Sequence, residues 1–147
     1  MKLKKIKELM PNIEYKQMVY QTGRKFEILC EGKYMGYQFY IMNLGTHPTA
    51  YVEIPATNKL FGKSYDEIYR MGIDIDVHGG LTYSDNELNN VKENSWFIGW
   101  DYVHYGDYAG YEERFPMELR TGGKKWTTEE IFEDVVRAIE QIKKEEN

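Results

Sequence analysis

The chain has 147 residues, 41% hydrophobic and 15% aromatic, which predicts one folded domain over residues 1–147 and excludes a disordered chain. Its net charge of −5 disfavours general nucleic-acid binding, because such binding depends on basic surface that neutralises phosphates. The single cysteine, Cys30, excludes an intramolecular disulfide, and the lack of long apolar runs predicts a soluble, cytoplasmic protein without membrane association.

The residue pattern in the first half of the chain predicts one short helix followed by extended structure. Residues 2–10 place apolar side chains at helical spacing before Pro11. Residues 14–54 hold four runs rich in aromatic and β-branched side chains, with turn residues at 22–23, 32–33 and 45–48. This pattern predicts an antiparallel meander.

In the second run of the meander, apolar and charged residues alternate. Phe26, Ile28 and Cys30 alternate with Lys25, Glu27 and Glu31, which predicts one buried and one solvent-facing side of the strand. Cys30 is therefore predicted to be a core residue and not a nucleophile.

Two capping boxes mark helix starts later in the chain. Ser64 and Glu67 have the spacing of the first box, and the helix after it would turn Ile68 and Met71 inward. Thr127 and Glu130 form the second, before a stripe of apolar residues at helical spacing over 131–142. The stripe predicts a terminal helix lying across a sheet face.

Between the two helices the chain switches to strand and loop patterns. Residues 73–77 alternate and predict a strand that ends at His78. Residues 84–94 are polar and predict a loop, residues 95–100 predict a central strand, and residues 102–123 predict a long surface connection. The fold expected is α+β: a mostly antiparallel sheet of about five or six strands, with a C-terminal amphipathic helix and one or two short helices packed on it.

The candidate site is formed by two segments, residues 78–85 and 96–107, that concentrate histidine, glycine, tryptophan and aspartate. Glycines after a strand leave bare backbone that a ligand can approach, and flat rings offer stacking surfaces. We expect a ligand pocket made of His78, Gly79, Gly80, Tyr83, Trp100, Asp101, His104 and Asp107.

Three interpretations of this constellation stay open. His78, Asp101, His104 and Asp107 are side chains of the type that hold zinc, manganese or iron with one position left for water, so a metal-dependent hydrolase is one. The same residues could bind a small ligand without transforming it. They could also form a hydrogen-bonded network that only connects two loops.

A family resemblance adds to this picture. The segments HGGLTYSD and WFIGWDYVHYGDY, with the terminal helix, resemble a family of small uncharacterised proteins encoded by phages and prophages of Gram-positive bacteria. The likeness covers residues 49–142. It implies a phage origin and an infected bacterial host cell as the location, but no reaction.

A small acidic phage protein of this kind is expected to act in counter-defence. The interpretation preferred from the residues is sequestration of a nucleotide-like ligand, with Arg114 and Arg120 as the nearest basic residues for phosphates. The alternatives are the metal-dependent hydrolase and an inhibitor that binds a host defence protein. The thirteen tyrosines are also compatible with a homodimer.

Overall fold

The computed structural model describes residues 8, 14–15, 27–43, 47–88, 91–102 and 126–147. Over these residues the chain forms a six-stranded sheet and two helices. The predicted first helix and the turn at 22–23 lie outside the described residues, apart from Glu8, which is helical. The strands are β1 (Glu14–Tyr15), β2 (Glu27–Tyr34), β3 (Tyr37–Asn43), β4 (Pro48–Glu53), β5 (Tyr83–Leu88) and β6 (Lys92–Asp101), and the helices are α1 (Tyr65–Arg70) and α2 (Thr128–Lys143).

The sheet has the strand order β1-β2-β3-β4-β6-β5, and every neighbouring pair is antiparallel. The first four strands follow one another as a meander, and β6 then enters between β4 and β5. Helix α2 packs on β2, β3 and β4, so its apolar stripe has the sheet face that it needs. The predicted α+β fold and the interior position of β6 are therefore confirmed.

Strand β2 departs from simple alternation. The register shifts between Ile28 and Cys30, and this bulge turns Leu29 inward beside Cys30 while Ile28 is 38% exposed. The predicted burial of Cys30 is confirmed, and that of Ile28 is wrong. Burial, with Glu31 nearby as a smaller cause, raises the pKa of the Cys30 thiol to about 12, so the thiol is not a nucleophile at neutral pH.

The turn between β2 and β3 also lies later than predicted. Residues 32–33 belong to β2, and the chain reverses at Met35 and Gly36, where Tyr34 pairs with Tyr37. Both turn residues have positive φ, 50° at Met35 and 87° at Gly36. This is the backbone of a two-residue hairpin turn whose twist matches the strands, and only Gly36 signals it in the sequence.

The segment at 73–77 alternates in burial without forming a strand. Ile75 and Val77 are buried, and Asp74 and Asp76 beside them are exposed, as the pattern predicts. However, the backbone N–H of Asp76 donates to the side-chain oxygen of Gln141 on α2 at 2.8 Å. The strand prediction is wrong because the segment makes this contact with the helix and joins no ladder of the sheet.

The polar stretch at 84–94 is largely strand. It contains most of β5 and the start of β6, and the predicted loop is wrong. β5 is an edge strand whose residues 85–87 are exposed. Edge strands commonly keep charged side chains, which protect their unpaired backbone from other chains, so a polar composition does not exclude a strand here.

Close packing explains why residue 99 in β6 is a glycine. A Cβ atom on Gly99 would lie 2.4 Å from Cδ1 of Tyr51 and 2.6 Å from the carbonyl oxygen of Ala50. The glycine therefore leaves the space against β6 that the Tyr51 ring occupies. No helix among the described residues has the length and apolar character required to cross a bilayer.

Candidate functional site

Three aromatic rings meet where β6 ends and α2 begins. The rings of His78 and Tyr102 stack with centroids 5.1 Å apart and planes 7° from parallel. Trp126 closes the group, with its ring 4.6 Å from that of His78 and 5.0 Å from that of Tyr102. His78 and Trp126 are partly exposed, whereas Tyr102 is fully buried. We call His78, Tyr102 and Trp126 the ring cluster.

A buried polar chain extends inward from the ring cluster. The indole N–H of Trp100 donates to the Tyr102 hydroxyl at 2.9 Å, and that hydroxyl donates to the Asp134 carboxylate at 2.6 Å. Arg137 donates to the other oxygen of Asp134. Burial, and then the Asp134 carboxylate, hold the pKa of Tyr102 far above its ordinary value, so this hydroxyl remains a proton donor across the physiological range.

Trp100 is thus a core residue. Its side chain is 0% exposed, so it offers no free face for a ligand ring in this conformation. Asp101 follows it on β6, and alternation along a strand sends neighbouring side chains to opposite faces. Asp101 instead accepts a hydrogen bond from the Thr82 hydroxyl at 2.9 Å.

Tyr83 lies on the same side of the sheet as Tyr51. Their rings meet edge to face with centroids 5.1 Å apart, and the Tyr83 hydroxyl donates to the carbonyl oxygen of Glu87. Burial, with Asp85 as the next cause, raises the pKa of Tyr83 to about 12. Tyr83 packs with the smaller of two hydrophobic clusters, whereas Trp100 and Tyr102 belong to the larger one.

The predicted site residues are therefore divided between two faces of the sheet. His78 joins the ring cluster, while Tyr83 and Asp101 lie on the opposite side from Trp100. His104, Asp107, Arg114 and Arg120 lie outside the described residues. Within the described part of the chain, no three His, Cys, Asp or Glu side chains are grouped so that they could hold a metal ion, and the four-residue metal site stays a prediction.

Gly79 and Gly80 give the loop after His78 an unusual backbone. Both have positive φ, 71° and 78°, which disfavours other residues at either position. Gly80 also lines a groove of about 240 Å³ that runs between the loop and α1. The residues that line this groove are Tyr65, Asp66, Tyr69, Asp74, Ile75, Gly80 and Leu81.

Large apolar side chains are exposed along the segment that contains α1, and two of them, Tyr65 and Tyr69, line this groove. Of the six that are exposed among the described residues, four lie within residues 61–71. Tyr69 is 74% exposed, and Met71, predicted to point inward, is 44% exposed because the helix ends there as its C-cap. We call these four side chains the α1 patch: Phe61, Tyr65, Tyr69 and Met71.

The helix that carries the α1 patch is fixed to the core and to two strands of the sheet. Ile68 is 1% exposed and fixes the helix to the core, as predicted, and the predicted capping box of Ser64 and Glu67 is present. The hydroxyl of Ser84 accepts from the backbone N–H of Tyr65 at 3.1 Å. The indole N–H of Trp96 donates to the carbonyl oxygen of Lys63 at 3.0 Å. The helix is therefore held from both β5 and β6.

Comparison with family models, with curated proteins and with solved structures finds no match to this chain. The resemblance to phage proteins remains a prediction, and the site has to be interpreted from its own geometry.

The sequence did contain signals for the two features that were not predicted, the ring cluster and the α1 patch. Tyr102 continues the alternation of Ile98 and Trp100, which indicates a side chain on the same face. Trp126 stands immediately before the N-cap Thr127, where hydrophobic staple residues occur. In α1, Tyr65 and Tyr69 are four residues apart and so share one helix face.

Proposed function

We propose that this chain is a binding protein that docks on a partner protein through the α1 patch. The observation that carries the proposal is the concentration of exposed apolar side chains at 61–71, a segment that contains the capped helix α1 and contributes Tyr65 and Tyr69 to the lining of a groove. Aromatic residues and methionine are enriched in protein interfaces, and large exposed apolar patches mark interaction sites.

The anchoring of α1 supports the same proposal. Binding requires that side chains and loops become ordered, at a cost that reduces affinity. Ile68 and the Ser64 capping box already fix the helix backbone, so less ordering remains for the complex. With the resemblance to phage proteins, the partner that we propose is a host defence protein, which the chain would inhibit by covering part of its surface.

A matched pair of methionines gives the test. Immobilised wild-type protein is incubated with lysate from a Gram-positive host, in parallel with Met71→Ser, Tyr69→Ser and the control Met35→Ser. Met35 is 46% exposed, close to the 44% of Met71, but it lies in the β2–β3 turn. We expect one captured protein to be lost with Met71→Ser and Tyr69→Ser, since removing an interface hot spot costs about 2 kcal/mol or more, and to be retained with Met35→Ser.

Two results would contradict the proposal. One is a set of captured proteins that is the same for all four samples. The other is self-association of the wild type, measured by sedimentation, that Tyr69→Ser abolishes, because the patch would then be occupied by a second copy of the chain.

The ring cluster favours a second candidate function, the binding of a nucleotide-like ligand. Two of its rings are partly exposed beside the Gly79-Gly80 backbone, and a flat, nucleotide-like ligand could stack there. This keeps His78, Gly79 and Gly80 from the sequence-based pocket and replaces Trp100 with Trp126.

A thermal-shift screen tests the second candidate. Mono-, di- and cyclic nucleotides, and separately zinc, manganese and iron, are added to the wild type, His78→Ala and Trp126→Ala. A ligand held at about a hundred times its Kd should stabilise the native state by about 2.7 kcal/mol, and both variants should lose that shift while Tyr69→Ser retains it. A wild type that no nucleotide stabilises would refute this candidate, and one that no metal stabilises would refute the metal site.

A further inference from the structure

We propose that the groove beside α1 receives a basic side chain, arginine in preference to lysine, from a segment of the partner protein. The inference rests on the proposed function and specifies the chemistry of the partner. It follows from the charges, the rings and the size of the groove.

The groove combines negative charge with aromatic surface. Among the described residues that line it, Asp66 and Asp74 are acidic, Tyr65 and Tyr69 are aromatic, and none is basic. Tyr65, Asp66 and Tyr69 all come from α1. Glu67, in the same helix, does not line the groove, and its side chain instead accepts from the backbone N–H of the N-cap.

This lining matches a cation better than an anion. Two carboxylates on a chain with a net charge of −5 disfavour phosphate groups and attract a positive side chain. The phenol rings add a favourable electrostatic surface for a cation placed over their faces. The acidic groove is therefore unsuited to the phosphates of a nucleotide. It differs in this respect from the ring cluster, where a nucleotide-like ligand is the second candidate.

The size of the groove limits what part of a partner enters it. Its volume of about 240 Å³ is below the ~300–1,000 Å³ usual for small-molecule pockets. A single long side chain fits such a space better than a whole cofactor. Arginine is favoured because its planar guanidinium both stacks on aromatic rings and pairs bidentately with carboxylates, whereas a lysine ammonium acts as a point charge.

The test uses a probe that isolates the side chain. The isotope-labelled full chain is titrated with N-acetyl-arginine methylamide and followed by two-dimensional NMR, with N-acetyl-citrulline methylamide as the neutral control of nearly the same shape. We expect millimolar binding that shifts the backbone amides of residues 65–69 and 74–81 and weakens with added salt, because both carboxylate residues are exposed. The lysine analogue should bind more weakly, and citrulline should cause no comparable shifts.

Substitutions in the groove test whether the arginine probe binds there. In Asp66→Asn/Asp74→Asn the arginine probe should bind about tenfold more weakly or worse. Asp85→Asn, which removes an exposed carboxylate from β5, should bind it as the wild type does. Tyr69→Phe should retain binding and Tyr69→Ser should weaken it, with the remaining spectrum of each variant showing that the fold is intact.

Several outcomes would overturn the inference: equal shifts with citrulline, unchanged binding in Asp66→Asn/Asp74→Asn, an equal loss in Asp85→Asn, or no shifts at all. These results are distinguishable from failure of the proposed function. A partner captured through Met71 and Tyr69 without arginine binding refutes only the partner chemistry. Arginine binding without any patch-dependent capture refutes the protein-docking function and with it the source of the side chain that we propose.

Discussion

Replacing Ile139 with aspartate is expected to lower the free energy of unfolding by more than about 3 kcal/mol, because it places an unpaired charge in the core. Ile139 is 0% exposed and belongs to the stripe of α2 that packs on the sheet. Burying an aspartate there leaves it without a partner or forces it to take up a proton. Thermal or urea unfolding measures the loss.

Two further variants control for the nature of the change. Glu140→Asp introduces the same residue one position later, on the exposed side of α2, and should change stability little. Ile139→Val removes one methylene and should cost about 0.5–1.5 kcal/mol. If Ile139→Asp were as stable as Glu140→Asp, the packing of α2 on the sheet would be refuted.

Replacing Asn58 with leucine should be the next most damaging change, at about 2–4 kcal/mol, because several buried partners lose hydrogen bonds together. Asn58 is 1% exposed. Its amide group donates to the Tyr37 hydroxyl at 3.0 Å and to the carbonyl oxygen of Ile142 at 2.8 Å. Its amide oxygen accepts from the backbone N–H of Leu60 at 3.0 Å.

A double-mutant cycle separates these bonds. Tyr37→Phe removes only the bond to the hydroxyl and should cost about 1 kcal/mol. In the Asn58→Leu background the same change should cost less, because its partner is already absent. Additive losses would show that Asn58 and Tyr37 are not coupled, which would contradict the hydrogen bond between them.

Local signals allowed much of the fold to be predicted. The capping boxes at Ser64 and Thr127 involve side chains three residues apart, so both helix starts were visible in the sequence. The run that became β6 was apolar enough to indicate an interior strand. The burial of Cys30 followed from alternation, although the bulge that exposes Ile28 did not.

The failures have a common physical cause. Residues 73–77 contact Gln141, which lies far along the chain, instead of a neighbouring strand, and no local pattern in the sequence reports this contact. The polar residues of β5 are compatible with a loop or with an edge strand, and only the neighbouring β6 decides between them.

The site was less predictable than the fold for the same reason. His78 was recognised, but its ring neighbours Tyr102 and Trp126 come from distant parts of the sequence. Trp100 and Asp101 are adjacent in the chain and were placed in one pocket, whereas strand geometry separates them. The α1 patch was missed because the spacing of Tyr65 and Tyr69 shows that they share a face of this six-residue helix but does not show that the face is turned outward.

The hydrogen bond from Trp96 to Lys63 makes the protein suitable for optical measurement of docking. The chain has three tryptophans, and they report on different surroundings. Trp96 is linked to the residue before the N-cap of α1, Trp100 is buried, and Trp126 belongs to the ring cluster. A Trp126→Phe variant keeps Trp96 and the buried Trp100, and its intrinsic fluorescence would therefore respond to events at the α1 patch without a dye. A Trp96→Phe variant keeps Trp126 and Trp100, and its fluorescence would respond to ligands at the ring cluster.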